Sequence, residues 1–258
     1  MGSRTWTALR RRLLARPSGP LLLGLDFDGT LAALARSPEL SRLPGASRLL
    51  LGALSRRSGV RVAVLSGRRL RDVRTKVGLP GLYYAGNHGL ELLGPKGPWT
   101  HPRAKAALGA LRLTARALRR ELADFPGASL EDKALSLSLH YRRMSPRLSP
   151  SLEDRVREIL GPHARRLRLS PGKKVWEIRP RLSWDKGKAL LRIRRELGGL
   201  WSLMFVGDDA TDEEGFRSLG PRALCVRVGP CGNSRAAFIL GSRGRMESLL
   251  RLLVQETR

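Results

Sequence analysis

The sequence contains little of what builds disulfide frameworks, base-stacking surfaces or membrane spans. Its 258 residues include 2 cysteines, which is too few for a disulfide framework, and we read Cys225 and Cys231 as small apolar residues in a reducing cytoplasm. Aromatic residues make up 5% of the chain, so surfaces on which nucleic-acid bases could stack are scarce. No apolar run approaches the roughly 20 residues that a membrane-spanning helix needs.

The basic segment from Arg4 to Pro17 also lacks the apolar stretch and cleavage site of a secretory signal. The spacing of Trp6, Leu9, Leu13 and Leu14 predicts an amphipathic helix packed on the core. A helix that binds a membrane surface or directs the chain to an organelle is the less favoured alternative.

Acidic residues are outnumbered: 22 acids stand against 49 basic residues, and the net charge is +27. Such a charge raises nucleic-acid binding as an alternative function. The arginines are dispersed along the whole chain, however, and the enrichment in Leu, Ala, Arg and Gly is typical of GC-rich codons. We therefore expect no specific nucleic-acid partner, although a positive field would attract a phosphorylated ligand.

Apolar strands alternate with helices in both halves of the chain, which predicts an α/β fold built on a doubly wound parallel sheet. The predicted strands of this sheet are 21–25, 60–65, 82–85, 202–206 and 223–228, with helices over 44–57 and 70–77, from 184 onward, and over 246–254. Ligands of such sheets collect at the carboxyl ends of the strands.

The pattern changes in the middle of the chain. A long helical stretch over 104–125 precedes a period-two strand over 134–139, a helix over 149–160 and short strands over 166–169 and 174–178. We predict a small α+β domain at 104–180, inserted between core segments 1–103 and 181–258.

Polar side chains follow the first predicted strand in the motif Asp26-Phe-Asp-Gly-Thr30. Two carboxylates separated by one residue are costly after an apolar strand unless a cation neutralises them, and oxygen ligands suit Mg²⁺. Thr30 offers a hydroxyl and a backbone N–H to phosphate oxygens. A solvated turn is the alternative for this motif alone.

Three further motifs support a phosphate site. Ser66 follows the second strand, Lys186 begins a helix whose N-terminus favours anions, and Asp208, Asp209 and Asp212 follow a later strand. Each has an ordinary reading by itself: a turn, a surface lysine, and a helix cap in which Thr211 and Glu214 are spaced as a capping box.

In this order, the four motifs resemble those of the haloacid dehalogenase (HAD) superfamily of phosphatases. Five longer segments are similar to the trehalose-6-phosphate phosphatase family, and the inserted block takes the place of a cap domain. These segments are Leu65-Ser-Gly-Arg68, Gly86-Asn-His-Gly89, Leu130-Glu-Asp-Lys-Ala-Leu-Ser-Leu137 through His140-Tyr-Arg142, Gly172-Lys-Lys-Val-Trp-Glu-Ile-Arg-Pro180, and Gly207-Asp-Asp-Ala-Thr-Asp-Glu213.

The resemblance implies a phosphatase in which Asp26 is the nucleophile and Asp28 the general acid and base. It implies Mg²⁺ as cofactor, held by Asp26, the backbone carbonyl of Asp28, and Asp208. Thr30, Ser66 and Lys186 would stabilise the phosphoryl group, while Asp209 and Asp212 would position Lys186 or a water on the metal.

For the substrate, the resemblance implies trehalose 6-phosphate, with another phosphosugar as the alternative. Its implied contacts are Asn87, His88, Glu131, Arg142, Lys174 and Glu177, with Lys133 as a weaker candidate and Lys173 as a possible replacement for Lys174. Because no glucosyl-transfer domain precedes the motifs, a separate trehalose-6-phosphate synthase would supply the substrate. We expect a cytoplasmic monomer without a membrane span.

Overall fold

The computed structural model describes residues 5–15, 19–35, 38–172, 174–230 and 232–257. The chain divides into two compact units. The first contains the residues up to Trp99 together with those from Trp184 onward, and the second comprises Thr100–Ser183.

The first unit is built on an eight-stranded sheet. In chain order its strands are β1 Leu21–Asp26, β2 Val60–Leu65, β3 Tyr83–Gly86, β4 Glu91–Gly94, β5 Gly97–Thr100, β10 Ser202–Gly207, β11 Ala223–Arg227 and β12 Phe238–Ile239. Their spatial order is β12-β11-β10-β1-β2-β3-β4-β5. The strands from β12 to β3 are parallel, and β4 runs antiparallel to β3. The expected doubly wound parallel sheet is confirmed.

Helices cover both faces of this sheet, which explains why β1 is apolar throughout. Leu21, Leu23 and Leu25 face one apolar cluster, whereas Leu22 faces the other. All four are buried, and burial of a leucine contributes about 1.5–3 kcal/mol. The helices of this unit are α1 Trp6–Leu14, α2 Gly45–Ser55, α3 Leu70–Val77, α7 Lys186–Leu197, α8 Ala210–Leu219 and α9 Arg245–Glu256.

The N-terminal helix α1 packs on the core, as its spacing predicts, although Leu14 is exposed. Leu9 and Leu13 are buried in the same cluster as apolar residues of α2 and α9. Among the residues that the structure describes, no helix combines the length and apolar character needed to cross a bilayer. Of the two cysteines, Cys225 is a buried free thiol, while Cys231 lies outside the described residues.

The second unit is a four-stranded antiparallel sheet with helices on one face. Its strands β6 Ser129–Asp132, β7 Leu137–His140, β8 Leu167–Gly172 and β9 Val175–Pro180 have the order β6-β7-β9-β8. Its helices are α4 Pro102–Lys105, α5 Leu108–Glu121 and α6 Ser149–Leu160. Apolar side chains of one sheet face, including Leu139, Trp176 and Ile178, are buried with residues of α5 and α6.

Two of the predicted segments differ clearly from their expected bounds. The helix expected over 104–125 is shorter and lies between α4 and a 3₁₀ turn at Leu122–Asp124. The strand expected over 134–139 begins at Leu137, because Ala134 adopts a positive φ of 66° and its N–H binds the Asp132 carboxylate. The alternation of polar and apolar residues therefore begins in the turn that precedes the strand.

Candidate active site

Four strand ends bring polar side chains to one edge of the larger sheet. Asp26 ends β1, Ser66 follows β2, Asn87 follows β3 and Asp208 follows β10. Because β10, β1, β2 and β3 are parallel neighbours, their carboxyl ends meet at the same edge. The predicted core site residues therefore converge.

Lys186 links two buried carboxylates. As the first residue of α7, it donates from Nζ to Asp26 Oδ1 at 2.7 Å and to Asp212 Oδ1 at 2.8 Å. The lysine is 2% exposed, and both carboxylates are buried as well. Burial alone would lower the pKa of Lys186, but Asp212 and Asp26 outweigh it and raise this pKa well above its ordinary value. Lys186 is therefore a fixed positive charge beside Asp26.

Asp208 lies against the loop that follows Asp26. Its Oδ1 accepts a hydrogen bond from Thr30 Oγ1 at 2.8 Å. Gly29 has a φ of 91°, and a Cβ at this position would come within 2.1 Å of Asp208 Oδ2. The glycine therefore permits both the backbone turn and the close approach of the carboxylate.

Asp209 and Asp212 form a capping box at the start of α8. The Asp209 side chain accepts from the backbone N–H of Asp212, and the Asp212 side chain accepts from that of Asp209. The suggested capping box of Thr211 and Glu214 is wrong, because Asp212 is the third residue of the helix. The same Asp212 carboxylate also binds Lys186, so the helix cap and the buried ion pair share one residue.

Carboxylate oxygens of Asp26, Asp208 and Asp212 lie within 4.8 Å of one another. Burial raises the pKa of Asp26 well above its ordinary value, Lys186 offsets this only in part, and Asp212 and Asp208 raise it further. Burial also raises the pKa of Asp208. Because this cluster holds more negative charge than Lys186 neutralises, its oxygen donors fit a divalent cation. Asp212 already binds Lys186 and two backbone amides, so Asp26 and Asp208 are the better ligands.

Asn87 and His88 form a strained turn beside the Ser66 loop. Their φ angles are 49° and 58°, values that are uncommon outside glycine. The His88 N–H donates to Ser66 O at 2.9 Å, and a Cβ on Gly67 would lie 2.7 Å from the His88 ring. Asn87 Nδ2 donates to Glu91 Oε2 at 2.7 Å. The turn therefore holds His88 against the loop that contains Ser66.

Sequence reasoning missed the residues that hold Asp28. Arg68 donates to both Asp28 oxygens, and Ser41 Oγ donates to Asp28 Oδ1 at 2.8 Å. Arg68 belongs to the segment Leu65-Ser-Gly-Arg68, so its position two residues after Ser66 was an available signal. Ser41 had no signal in the sequence, because it reaches Asp28 from the loop before α2.

In the second unit, polar side chains form a row across one face of the sheet. Glu131 is opposite Ser138 in β7, and Ser138 is opposite Glu177 in β9. Glu177 Oε1 accepts from Ser138 Oγ at 2.6 Å and from Lys133 Nζ at 3.2 Å. Glu131 Oε2 lies 3.0 Å from His140 Nε2. The structure thus brings Glu131, Lys133 and Glu177 together.

The remaining two predicted residues of this unit lie at its surface. Lys174 occupies the tight β8–β9 connection with a φ of 62°, and its Nζ lies 5.9 Å from the centre of the Tyr141 ring. Arg142 is exposed just after β7. Lys173, the alternative to Lys174, lies outside the described residues.

Replacing Gly29 with alanine is expected to abolish activity, because the new methyl group would displace the Asp208 carboxylate. Gly97→Ala is a matched control: Gly97 has a φ of 93° but nothing within 4 Å of its Cβ position. The control should show only the backbone cost of a positive φ, about 1–3 kcal/mol of unfolding free energy. Phosphatase assays and thermal melts of both variants test this, and an active Gly29→Ala variant would contradict it.

Comparisons with known proteins identify a family for this chain. Residues 24–242 match the profile of the trehalose-phosphatase family. A trehalose-phosphate phosphatase of Mycobacterium tuberculosis is 38% identical over 245 residues, which cover 90% of this chain and 61% of that protein. The chain therefore spans about three fifths of the length of this relative.

Solved structures show the same fold. A trehalose-6-phosphate phosphatase related protein superposes with a TM-score of 0.79 at 26% identity, covering 91% of this chain and 97% of that chain. The C-terminal domain of a C. albicans trehalose-6-phosphate phosphatase superposes with a TM-score of 0.80 at 22% identity, covering 95% and 96%. The expected HAD-like fold is confirmed, and the match over residues 24–242 shows that the chain belongs to the trehalose-phosphatase family.

Proposed function

We propose that this protein is a Mg²⁺-dependent phosphatase that hydrolyses trehalose 6-phosphate to trehalose and phosphate. The observation that carries the proposal is the buried Asp26 at the end of β1, paired with Lys186 and close to Asp208, in a chain of the trehalose-phosphatase family. A buried carboxylate beside a fixed positive charge suits nucleophilic attack on a phosphoryl group, and the neighbouring acidic groups would hold a divalent cation there.

In the first half of the proposed reaction, an Asp26 oxygen bonds to phosphorus while the bond between phosphorus and the sugar oxygen breaks. Asp28 gives a proton to the departing sugar oxygen. In the second half, a water oxygen bonds to phosphorus, Asp28 takes a proton from that water, and Asp26 is released. One difficult displacement is thereby divided into two easier ones.

A divalent cation held by Asp26, Asp208 and the backbone carbonyl of Asp28 would reduce the repulsion between carboxylate and phosphate. Lys186 and Ser66 would stabilise charge on the transferring phosphoryl group. Because the Thr30 hydroxyl donates to Asp208, we propose that Thr30 contributes through its backbone N–H. Asp212 holds Lys186 in place, and Asp209 caps the helix that carries Asp212.

We further propose that the polar row of the second unit contacts the sugar hydroxyls. Burial alone would raise the pKa of Glu131, but the His140 hydrogen bond and the charge of Lys133 hold it below its ordinary value. Glu131 would thus be an ionised acceptor, beside Glu177 on a rigid sheet, which favours sharp discrimination between sugars. Arg142, Lys174, Asn87 and His88 would supply further contacts. A separate synthase would supply the substrate to a monomeric enzyme in the cytoplasm.

Phosphate release from a panel of sugar phosphates tests the proposal. The panel contains trehalose 6-phosphate, sucrose phosphate, glucose 6-phosphate and a mannosyl phosphosugar, each measured with Mg²⁺ and after removal of metal with EDTA. We expect the highest kcat/KM for trehalose 6-phosphate and loss of activity with EDTA that Mg²⁺ restores. Faster hydrolysis of another phosphosugar would overturn the substrate assignment, and unchanged activity in EDTA would overturn the metal assignment.

The same panel of sugar phosphates tests which residues determine substrate specificity. Glu131→Ala and Glu177→Ala should lower kcat/KM for trehalose 6-phosphate more than for glucose 6-phosphate, which lacks the second sugar. Glu153→Ala, on the exposed side of α6, is the matched control and should leave the preference unchanged. If the two cap variants lose activity equally on all substrates, the proposed sugar contacts are wrong.

A further inference from the structure

The carboxylate of Asp28 is held by two side chains to which the proposed reaction assigns no role. Arg68 Nε donates to Asp28 Oδ2 at 2.7 Å, and Arg68 Nη2 donates to Oδ1 at 2.8 Å. Ser41 Oγ donates to Oδ1 at 2.8 Å. A two-pronged contact from a guanidinium fixes the plane of a carboxylate as well as its position.

The three contacts are unequally divided between the two oxygens. A carboxylate oxygen offers about two acceptor sites. Oδ1 receives Arg68 and Ser41, so both of its sites are used, whereas Oδ2 receives Arg68 alone. The Asp28 side chain is 31% exposed, and the second site on Oδ2 is the one to which no described side chain donates, so it is the site left for a reacting group.

Arg68 is itself immobilised. Its Nη1 donates to Asp72 Oδ2 at 2.8 Å, and its guanidinium lies 5.6 Å from the centre of the Phe27 ring. The Arg68 side chain is 10% exposed. Burial alone would lower the pKa of Arg68, but Asp28 and Asp72 outweigh it and raise this pKa, so the arginine stays charged. A charged and anchored side chain can hold Asp28 in one orientation.

We propose that Arg68 is a positioning residue that, together with Ser41, orients Asp28 so that Oδ2 carries the proton in both halves of the reaction. This inference rests on the proposed function. In the first half, the O–H bond on Oδ2 breaks and the proton passes to the sugar oxygen as the bond from that oxygen to phosphorus breaks. In the second half, a water proton passes to Oδ2 as the water oxygen bonds to phosphorus and Asp26 is released.

The test compares two phosphate esters that differ in their need for an acid. Trehalose 6-phosphate releases an alkoxide that must be protonated, whereas 4-nitrophenyl phosphate releases a stable anion. The value of kcat/KM reports the steps up to departure of that group, so it isolates the first half of the reaction. Arg68→Gln should lower kcat/KM for trehalose 6-phosphate about 10–100-fold, a part of the roughly 10²–10⁴-fold that general acid catalysis contributes, and change it little for 4-nitrophenyl phosphate.

Three variants accompany this measurement. Arg68→Lys keeps the positive charge but cannot make the paired hydrogen bonds to both Asp28 oxygens. It should therefore also lose more kcat/KM on trehalose 6-phosphate than on 4-nitrophenyl phosphate. Arg71→Gln, the same substitution at an exposed arginine of α3, is the matched control, and its kcat/KM should stay close to that of the wild type on both esters. Ser41→Ala, in which Arg68 is intact, should lower kcat/KM for trehalose 6-phosphate about fivefold, the value of one hydrogen bond. Thermal melts identify any variant that fails to fold. If the Arg68 variants fail to fold, Ser41→Ala still tests whether the contacts to Asp28 matter.

Each outcome has a separate meaning. If Arg68→Gln loses kcat/KM equally on both esters, while Asp28→Asn loses more on trehalose 6-phosphate, only the positioning role of Arg68 is overturned. If Asp28→Asn itself loses kcat/KM equally on both esters, the acid role of Asp28 is overturned, and the positioning role of Arg68 and Ser41 is overturned with it. A further loss from Arg68→Gln in an Asp28→Asn background would show that Arg68 acts elsewhere. If the wild type ignores trehalose 6-phosphate, the proposed substrate fails, and the alkyl phosphate that it hydrolyses best replaces it in the comparison.

Discussion

Asp26→Asn is expected to abolish phosphate release while leaving the protein folded. An amide cannot attack phosphorus to form the acyl phosphate, so kcat should fall at least about 10⁴-fold, as expected when a nucleophile is removed. Burial raises the pKa of Asp26, which means that its ionised form is costly in the folded state. Lys186 keeps Asp212 as a partner in the variant. The melting temperature should therefore stay the same or rise.

Kinetic assays and thermal melts measure the two halves of this prediction. Asp154→Asn, the same substitution at an exposed position in α6, is the control and should retain activity. In the wild type, rapid acid quenching during turnover should give a peptide containing Asp26 that is heavier by one phosphoryl group. An Asp26→Asn variant that still turns over would rule out covalent catalysis through this residue.

Lys186→Met should produce the largest loss of stability. The substitution keeps an unbranched side chain, one atom shorter, but leaves Asp26 and Asp212 buried without their shared cation. Removing one partner of a buried ion pair costs about 3–5 kcal/mol, because the remaining charge is uncompensated. Activity should be lost too, since Lys186 lies 2.7 Å from the proposed nucleophile.

Urea or thermal denaturation of three variants, each compared with the wild type, tests this explanation. Lys105→Met, at an exposed lysine, should melt close to the wild type. The double variant Lys186→Met/Asp212→Asn should recover part of the lost stability, because one of the unpaired buried charges is gone. If the double variant is no more stable than Lys186→Met, the loss comes from packing and the buried charges are not its cause.

Periodicity was enough to locate the elements whose apolar pattern is unbroken. The predicted ranges of β2, α3 and α6 agree with the structure, because each is bounded by turn residues and has one clear period. Four strands were missed: β4, β5, β6 and β12. The strands β4 and β5 are four residues long each and contain glycine or proline, so they resemble the loops around them.

The types of residue at the candidate site were also readable from the sequence. Carboxylates, a serine and a lysine occur at strand ends and at a helix start, where backbone geometry collects polar groups whatever the rest of the chain does. Side-chain partners were not readable, because contacts such as those of Arg68 with Asp28 and of Thr30 with Asp208 join residues 40 and 178 positions apart.

By itself, the sequence determined that this chain folds as an α/β protein with Asp26, Ser66 and Asp208 at strand ends and Lys186 at a helix start, since apolar periodicity and local chemistry follow from short segments. Only the tertiary structure decided which second carboxylate binds Lys186 besides that of Asp26. It also decided that Arg68 and Ser41 hold Asp28. The physical reason is that hydrogen bonds of a few ångströms depend on how β1, β2 and α7 pack against one another, and no local pattern encodes that packing.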